Sequence, residues 1–308
     1  MTEQMIKQKN FVSAVVYVCD DQDTIQQFLT VLDGVLEENF EKFEIICVND
    51  ASRDRSGALI KSFHGHGVLR IVNMSFPQGL ERAIHAGVDL AIGDFVFEFD
   101  RAALDCTADF IMQVYNRSLE GFDIVSCGRE RMRFFSGLFY TIYNRSAKGQ
   151  YPIRSETFRI LSRRAINRIH SMNISVPYRK AIYNNCGLQT DFISYPAAGA
   201  DQKQGVKTRT DTASTTLVMF TSLGYRLALL FSLGMMLATV ATAIYIIVIY
   251  IMGIPVEGFT TMMLFVSFGF FMLSAIFAVV IKYLSILLEL VFRRQKYVIE
   301  SVEKVERK

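Results

Sequence analysis

A chain of 308 residues with 51% hydrophobic side chains has room for one sizeable domain plus an appendage, and is too apolar to be an ordinary soluble domain throughout. Its formal net charge of only +3 excludes a global attraction to nucleic acid as the basis of function, so basic residues are read by location. The apolar excess is concentrated: residues 1–220 mix charged and apolar runs, whereas 227–290 are nearly free of charge, which sets a boundary at about 221–226.

Residues 1–10 are polar and lack the apolar core of a secretory signal, so the domain that follows is expected to stay cytoplasmic. Residues 11–18 form an apolar, β-branched run, and 23–36 carry helical spacing at Ile25, Phe28, Leu29, Leu32 and Leu36. The alternation continues with a strand at 43–48 closed by Asn49-Asp50-Ala51-Ser52, a helix at 56–64, a strand at 68–73, a helix at 79–92, a strand at 94–99 and a helix at 108–119. Strands alternating with helices through short loops specify an α/β fold with a mostly parallel sheet, whose ligands collect at the carboxyl ends of the strands. Acids stand at those ends: Asp20 and Asp21, Asp50, and Asp100. They are either helix caps and turn residues or parts of a site. The absence of GxGxxG after the first strand disfavours a dinucleotide-binding domain. Cys19, Cys47, Cys106, Cys127 and Cys186 are widely spaced with no CxxC pair, and read as reduced, buried small hydrophobes.

Arg129, Arg131 and Arg133 lead into an aromatic-rich run in which Phe135, Leu138, Phe139 and Ile142 share a helical face. Residues 131–145 thus read as an amphipathic helix in the membrane interface, with the arginines toward lipid phosphates, or else as a core helix with solvated arginines at one end. Arg145, Lys148, Arg154 and Arg159 continue the basic character, while Arg163, Arg164, Arg168, Arg179 and Lys180 read as solvated helix charges or lipid contacts. Residues 197–216, with Lys207 and Arg209 among small polar residues, form a loop before the apolar part. His64, His66, His85 and His170 receive no role, because no metal-ligand spacing with an acid or cysteine is read from them.

Residues 227–252 and 259–281 are uncharged, and each is longer than the roughly 20 residues needed to cross a bilayer. Arg226 precedes the first run and Lys282, Arg293, Arg294 and Lys296 follow the second, which puts both outer ends in the cytoplasm and makes 221–290 a two-helix transmembrane hairpin in the cell membrane. Small residues such as Gly234, Ala238 and Gly269 permit close helix approach, within the hairpin or between protomers of a homo-oligomer. Residues 291–308 read as a charged helical cytoplasmic tail.

The residues of the first domain resemble family 2 glycosyltransferases of the GT-A fold, especially the membrane-anchored enzymes that load a sugar onto polyprenyl or dolichyl phosphate. The likeness is carried by Val12-Ser13-Ala14-Val15-Val16 followed by Asp20-Asp21, and by the segment 44–54 ending Asn49-Asp50-Ala51-Ser52-Arg53-Asp54. It continues through Ala83-Ile84-His85-Ala86-Gly87, the segment 91–96 and Thr157-Phe158-Arg159-Ile160-Leu161. The resemblance implies a GT-A domain at 1–220 that transfers a sugar from a nucleotide diphosphate sugar to an undecaprenyl-type phosphate for cell-surface glycan synthesis. Asp21, Asp50 and Ser52 would bind the nucleotide sugar, with Lys207 and Arg209 on a closing loop. Arg129, Arg131, Arg133 and Arg159 would meet the acceptor phosphate.

Where the family has Asp-x-Asp-x-Gln, this chain has Asp100-Arg101-Ala102-Ala103-Leu104. Asp100 is the one carboxylate left for the Mg²⁺ or Mn²⁺ that the resemblance implies, and Arg101 is placed to neutralise a departing diphosphate instead. A phosphate acceptor attacks as an anion without a base, whereas transfer to the hydroxyl of a lipid-linked glycan would need one, for which Glu156 is the nearby acid. The competing expectation is a degenerate, non-catalytic relative that binds lipid phosphate or a partner enzyme.

Overall fold

The protein is described by a computed structural model covering residues 7–104, 106–129, 156–172, 179–196 and 297–305, with scattered helical positions between 234 and 287. The β-branched and aromatic runs become β1 (Val12–Val18), β2 (Phe43–Asn49), β3 (Val68–Met74), β4 (Phe95–Phe99), β5 (Ile124–Arg129), β6 (Phe158–Ser162), β7 (Thr190–Tyr195) and β8 (Ile299–Val305). The helices are α1 (Ile25–Asn39), α2 (Ser56–Lys61), α3 (Leu80–Leu90), α4 (Asp109–Leu119), α5 (Arg163–Met172) and α6 (Arg179–Asn185).

The strands form one eight-stranded sheet in the order β7-β5-β6-β4-β1-β2-β3-β8. β1 pairs in parallel with both β2 and β4, β2 with β3, and β5 with β7, while β6 runs antiparallel to β4 and β5 and β8 antiparallel to β3. The start of β6 therefore lies at the carboxyl ends of its neighbours, with Phe158 opposite both Phe99 and Cys127. This one reversal brings Glu156 and Thr157 to the rim where β1, β2, β4, β5 and β7 end.

Alternate strand residues feed two apolar layers. Val12, Ala14, Val16 and Val18 pack with α1, α2 and α4 on one face. Val15, Ile46 and Val48 pack with Ala83, Ile84 and Ala86 of α3, and with Ala165, Ile166, Ile182 and Tyr183 of α5 and α6, on the other. Gly87 lets α3 lie directly on the sheet, since a Cβ there would come within 2.4 Å of Val15 Cγ1 and 2.7 Å of Val48 Cγ2. All five cysteines are free, and Cys47, Cys127 and Cys186 are buried.

The tail is not the expected charged helix over its described part, because residues 299–305 are the edge strand β8. Its residues alternate in exposure, and Ser301 and Glu303 accept hydrogen bonds from Asn73 Nδ2, each at 3.0 Å. Glu300 and Lys304, which suggested solvated helix, serve as edge-strand charges. The expected interfacial helix 131–145, the loop 197–216 and the span 227–252 lie outside the described residues, apart from Gly234. Of the span 259–281 only isolated helical positions are described. Among the described residues no helix is long and apolar enough to cross a membrane.

Candidate functional site

The carboxyl ends of β1 and β2 are built around acids bonded to backbone amides. Asp50, which is 1% exposed, accepts from Gln78 N at 2.7 Å, Gly79 N at 2.8 Å and the Tyr17 hydroxyl at 3.0 Å. Both of its oxygens are thus committed to the turn that starts α3. Asp20 and Ala51, with φ of 56° and 53°, occupy the left-handed region that L residues adopt at a cost, and their turns interlock. Asp20 accepts from Arg53 N at 2.7 Å, and Ser52 Oγ accepts from Asp20 N at 3.2 Å. Asp54 bonds Ser56 N and Gln22 N, both at 2.9 Å. Asp21 accepts from Cys19 N at 2.9 Å and stays partly exposed, and burial raises its pKa.

The β4–β6 side of the same rim is built around ion pairs. Glu98 is an acid inside an apolar strand, fully buried, and such a charge requires partners. Arg179 of α6 donates to Glu98 at 2.7 Å, to Glu81 at 2.9 Å and to Asp100 at 3.1 Å, and the Tyr183 hydroxyl donates to Glu98 at 2.6 Å. Arg159, also fully buried, lies 3.2 Å from Glu156, 3.4 Å from Asp100 and 3.5 Å from Glu98. Lys180 reaches Asp100 at 3.6 Å. Burial alone would raise the pKa of Asp100, but Arg159, Lys180 and Arg179 outweigh it and hold the carboxyl below the ordinary aspartate value. In the same cage burial works against the charge of Arg159 and Arg179, and the surrounding acids raise both.

Arg179 and Lys180, expected as solvated charges, are therefore buried structural cations. Arg159, expected at the acceptor phosphate, lies beneath the surface among carboxylates. Glu156 has its carboxylate against Arg159. The signal for this cage was an acid in the middle of Phe95-Val96-Phe97-Glu98-Phe99, which cannot be buried alone. Which cations meet it depends on a contact spanning 81 residues.

Arg101 follows β4 by two residues and Arg129 ends β5, at the same carboxyl-end rim. Burial lowers the pKa of Arg101, and the positive charge of Arg129 lowers it further, while Asp21, Asp100 and Tyr195 oppose both effects. Arg101 and Arg129 are thus close enough for one charge to act on the other, with Asp21 and Asp100 near Arg101. Tyr195 and Thr157 share a hydrogen bond of 2.7 Å beside them. The structure thus brings Asp21, Asp50, Ser52, Asp100, Arg101, Arg129 and Glu156 to one rim, with Arg159 buried below. Arg131, Arg133, Lys207 and Arg209 lie outside the described residues.

Among the described residues, the surroundings of Asp100 do not fit a divalent ion. Asp100 has both oxygens facing cations, and the next position able to carry a second carboxylate toward it is Ala102, which is fully buried among apolar side chains.

Residues 13–102 match the family model for glycosyl transferase family 2. An uncharacterized glycosyltransferase of Synechocystis sp. is 28% identical over 191 residues, 59% of this chain and 60% of that protein. A bactoprenol glucosyl transferase of Shigella phage SfV is 26% identical over 196 residues, 61% of this chain and 63% of that protein. The chain matches about three fifths of the length of these relatives. Among solved structures, glucosyl-3-phosphoglycerate synthase from Mycobacterium tuberculosis in complex with phosphoglyceric acid superposes with a TM-score of 0.51 at 10% identity, over 68% of this chain and 78% of that one. That likeness establishes the shared fold, a mixed α/β sheet of the GT-A kind.

Proposed function

We propose, from the match of residues 13–102 to glycosyl transferase family 2, that this chain transfers a sugar from a nucleotide diphosphate sugar to a polyprenyl phosphate at the cytoplasmic face of a cell membrane. The observation that carries the reading is the placing of Arg101 and Arg129 at the carboxyl ends of β4 and β5, beside an Asp100 already engaged by Arg159, Arg179 and Lys180. Two guanidinium groups at one rim suit an anion with more than one charge, such as a diphosphate. In the step itself, an oxygen of the acceptor phosphate attacks the anomeric carbon, the bond from that carbon to the diphosphate oxygen breaks, and the nucleoside diphosphate departs with the electron pair. Arg101 and Arg129 stabilise the charge that develops on it. The acceptor phosphate carries about 1.5 to 2 negative charges and needs no base. Glu156 has one carboxylate oxygen 3.2 Å from Arg159 and is assigned no part in the step.

The bactoprenol glucosyl transferase similarity supports a polyprenyl acceptor. Membrane attachment through 259–281 is supported by the described helical positions Met262, Val266, Leu273, Phe277 and Val280, followed by Leu284 and Leu287, and attachment through 227–252 by its uncharged sequence alone. All are exposed, at spacings that place them along one stripe of apolar side chains suited to lipid. Arg131 and Arg133 are assigned to the acceptor phosphate, and Lys207 and Arg209 to the diphosphate. The engagement of Asp100 by three cations favours a second reading, a non-catalytic relative that binds the same phosphates without turnover.

The deciding experiment incubates the full chain in detergent with undecaprenyl phosphate and a panel of nucleotide diphosphate sugars, with and without chelator. Transfer is expected to persist in chelator. Abolition by chelator that Mg²⁺ or Mn²⁺ reverses and Zn²⁺ does not would exclude the arginine-based mechanism, and binding of a donor with no transfer to undecaprenyl phosphate would favour the non-catalytic reading.

A further inference from the structure

His85 and Asp89 lie four residues apart on α3, which puts them on one face of the helix, and His170 reaches the same place from α5. No metal-ligand spacing was read for these histidines in the sequence, but His85 and Asp89 have it, and the third ligand comes through the fold. The donor atoms of all three lie within 4.8 Å of one another. Asp89 Oδ1 is 3.8 Å from His85 Nδ1 and 2.6 Å from His170 Nε2. The closer contact has the length of a hydrogen bond without its alignment, for Asp89 Oδ1 and His170 Nε2 are both buried atoms that make none. Two buried donor atoms this close and not hydrogen-bonded to each other are a pair that a shared ion would satisfy.

The surroundings support this. Tyr297, just before β8, donates its hydroxyl to Asp89 Oδ2 at 2.7 Å, and its ring stands edge-on to His85 with centroids 5.9 Å apart. One carboxylate oxygen is thereby fixed, and the other is turned toward the two imidazoles. This is the outer hydrogen bond that orients a ligating carboxylate. Asp89 lies nine residues along α3 from Leu80, roughly 13 Å of helical rise from the rim.

We propose that His85, Asp89 and His170 bind a borderline divalent cation of the Zn²⁺ type, with Tyr297 orienting Asp89, and that the ion clamps α3 and α5 to the chain entering β8. Two imidazoles and a carboxylate are the donor set such an ion takes, at about 2.0–2.2 Å each. The 2.6 Å contact opens and the 4.8 Å limit closes as the donors gather around it.

The full chain in detergent, stripped with chelator and dialysed, is titrated with Zn²⁺ by calorimetry and with Co²⁺ by visible absorption. One ion per chain is expected, with Co²⁺ giving the absorption of a nitrogen-ligated site. His85→Ala and His170→Ala should each weaken Zn²⁺ by more than the roughly 100-fold upper range of an outer-hydrogen-bond change, and Tyr297→Phe by roughly 10-fold. Circular dichroism checks folding, and His170→Gln replaces any alanine variant that does not fold. Zn²⁺ stoichiometry below one, or affinity unchanged in His85→Ala or His170→Gln, overturns the proposal and leaves the contact as an ion pair. Because the readout is binding, it fails or succeeds independently of sugar transfer.

Discussion

The two halves of the rim solve the same problem differently. Over β1 and β2 the acids are held by backbone amides: Asp50 by Gln78 and Gly79, Asp20 by Arg53, Asp54 by Ser56 and Gln22. Over β4 and β6 the acids are held by side-chain cations: Glu98, Asp100 and Glu156 by Arg159, Arg179 and Lys180. Amides fix a loop without changing its net charge, so the first half remains an acidic lip with Asp21 at its mouth. Three cations offset most of the charge of the four acids they hold, Glu81 included, and Arg101 and Arg129 stand at the same strand ends. A donor bound across both would meet an acceptor-rich surface suited to hydroxyl and base groups on one side, and a cationic surface suited to phosphate on the other.

The sharpest way to break the comparison is to remove the cation that joins three acids. Arg179→Met should leave Glu98 buried with Arg159 3.5 Å away and its strongest partner gone. Breaking a buried pair by deleting one partner costs about 3–5 kcal/mol, read as a fall in denaturation midpoint. An Arg179→Met chain as stable as the parent would mean that the cage is not what holds β4 to α6.

Arg101→Ala tests the rim at the end of β4. It is expected to leave stability close to the parent value while lowering kcat on the order of 10² to 10³-fold, the range for removing one preorganised donor from a developing anion. Arg101→Lys should recover part of the loss, since it restores charge but not the planar fork. Should the alanine variant turn over as fast as the parent, the diphosphate is bound elsewhere.

These expectations differ in how they could be read beforehand. The β1–β2 half was legible because its bonds are local or join adjacent strand ends: a turn-forming Asn49-Asp50-Ala51-Ser52 after an apolar run carries its own explanation. The order of strands and helices through α4 followed from periodicity, each within a few residues of its observed bounds. The cage was not legible, because Arg179 looks like any other helix charge until α6 is docked under β4. The same holds for β8, whose acids and lysines suggest a solvated helix, and which becomes a strand only because the β3 edge offers unpaired backbone. His170 likewise meets Asp89 across 81 residues of chain.

On the amide-built side, Asp50→Ala should cost about 1–3 kcal/mol, because the amides of Gln78 and Gly79 would be left without their buried acceptor. Thermal unfolding measures this. Donor affinity, followed by calorimetry, should fall with the loosening of the α3 turn, and an unchanged affinity would remove Asp50 from any part in donor recognition.

The smallest effect sharpens the contrast most directly, since it compares one carboxyl from each half. Burial raises the pKa of Asp21, its ionised form being favoured less in the fold than in the unfolded chain. Lowering the pH through its raised pKa therefore removes a destabilising charge, and this group alone makes the fold slightly more stable. Asp100 has the opposite sign: its folded pKa is depressed, so its contribution is present above the unfolded value of about 3.9 and is lost as pH falls through the folded pKa. Carboxyl-carbon NMR titration should place the Asp21 midpoint above the ordinary aspartate value and the Asp100 midpoint below it. Substituting Arg179 should move the Asp100 midpoint upward and leave Asp21 where it was. If both midpoints moved together, the halves would be one electrostatic unit, and the division between an acidic lip and a cationic floor would have to be given up.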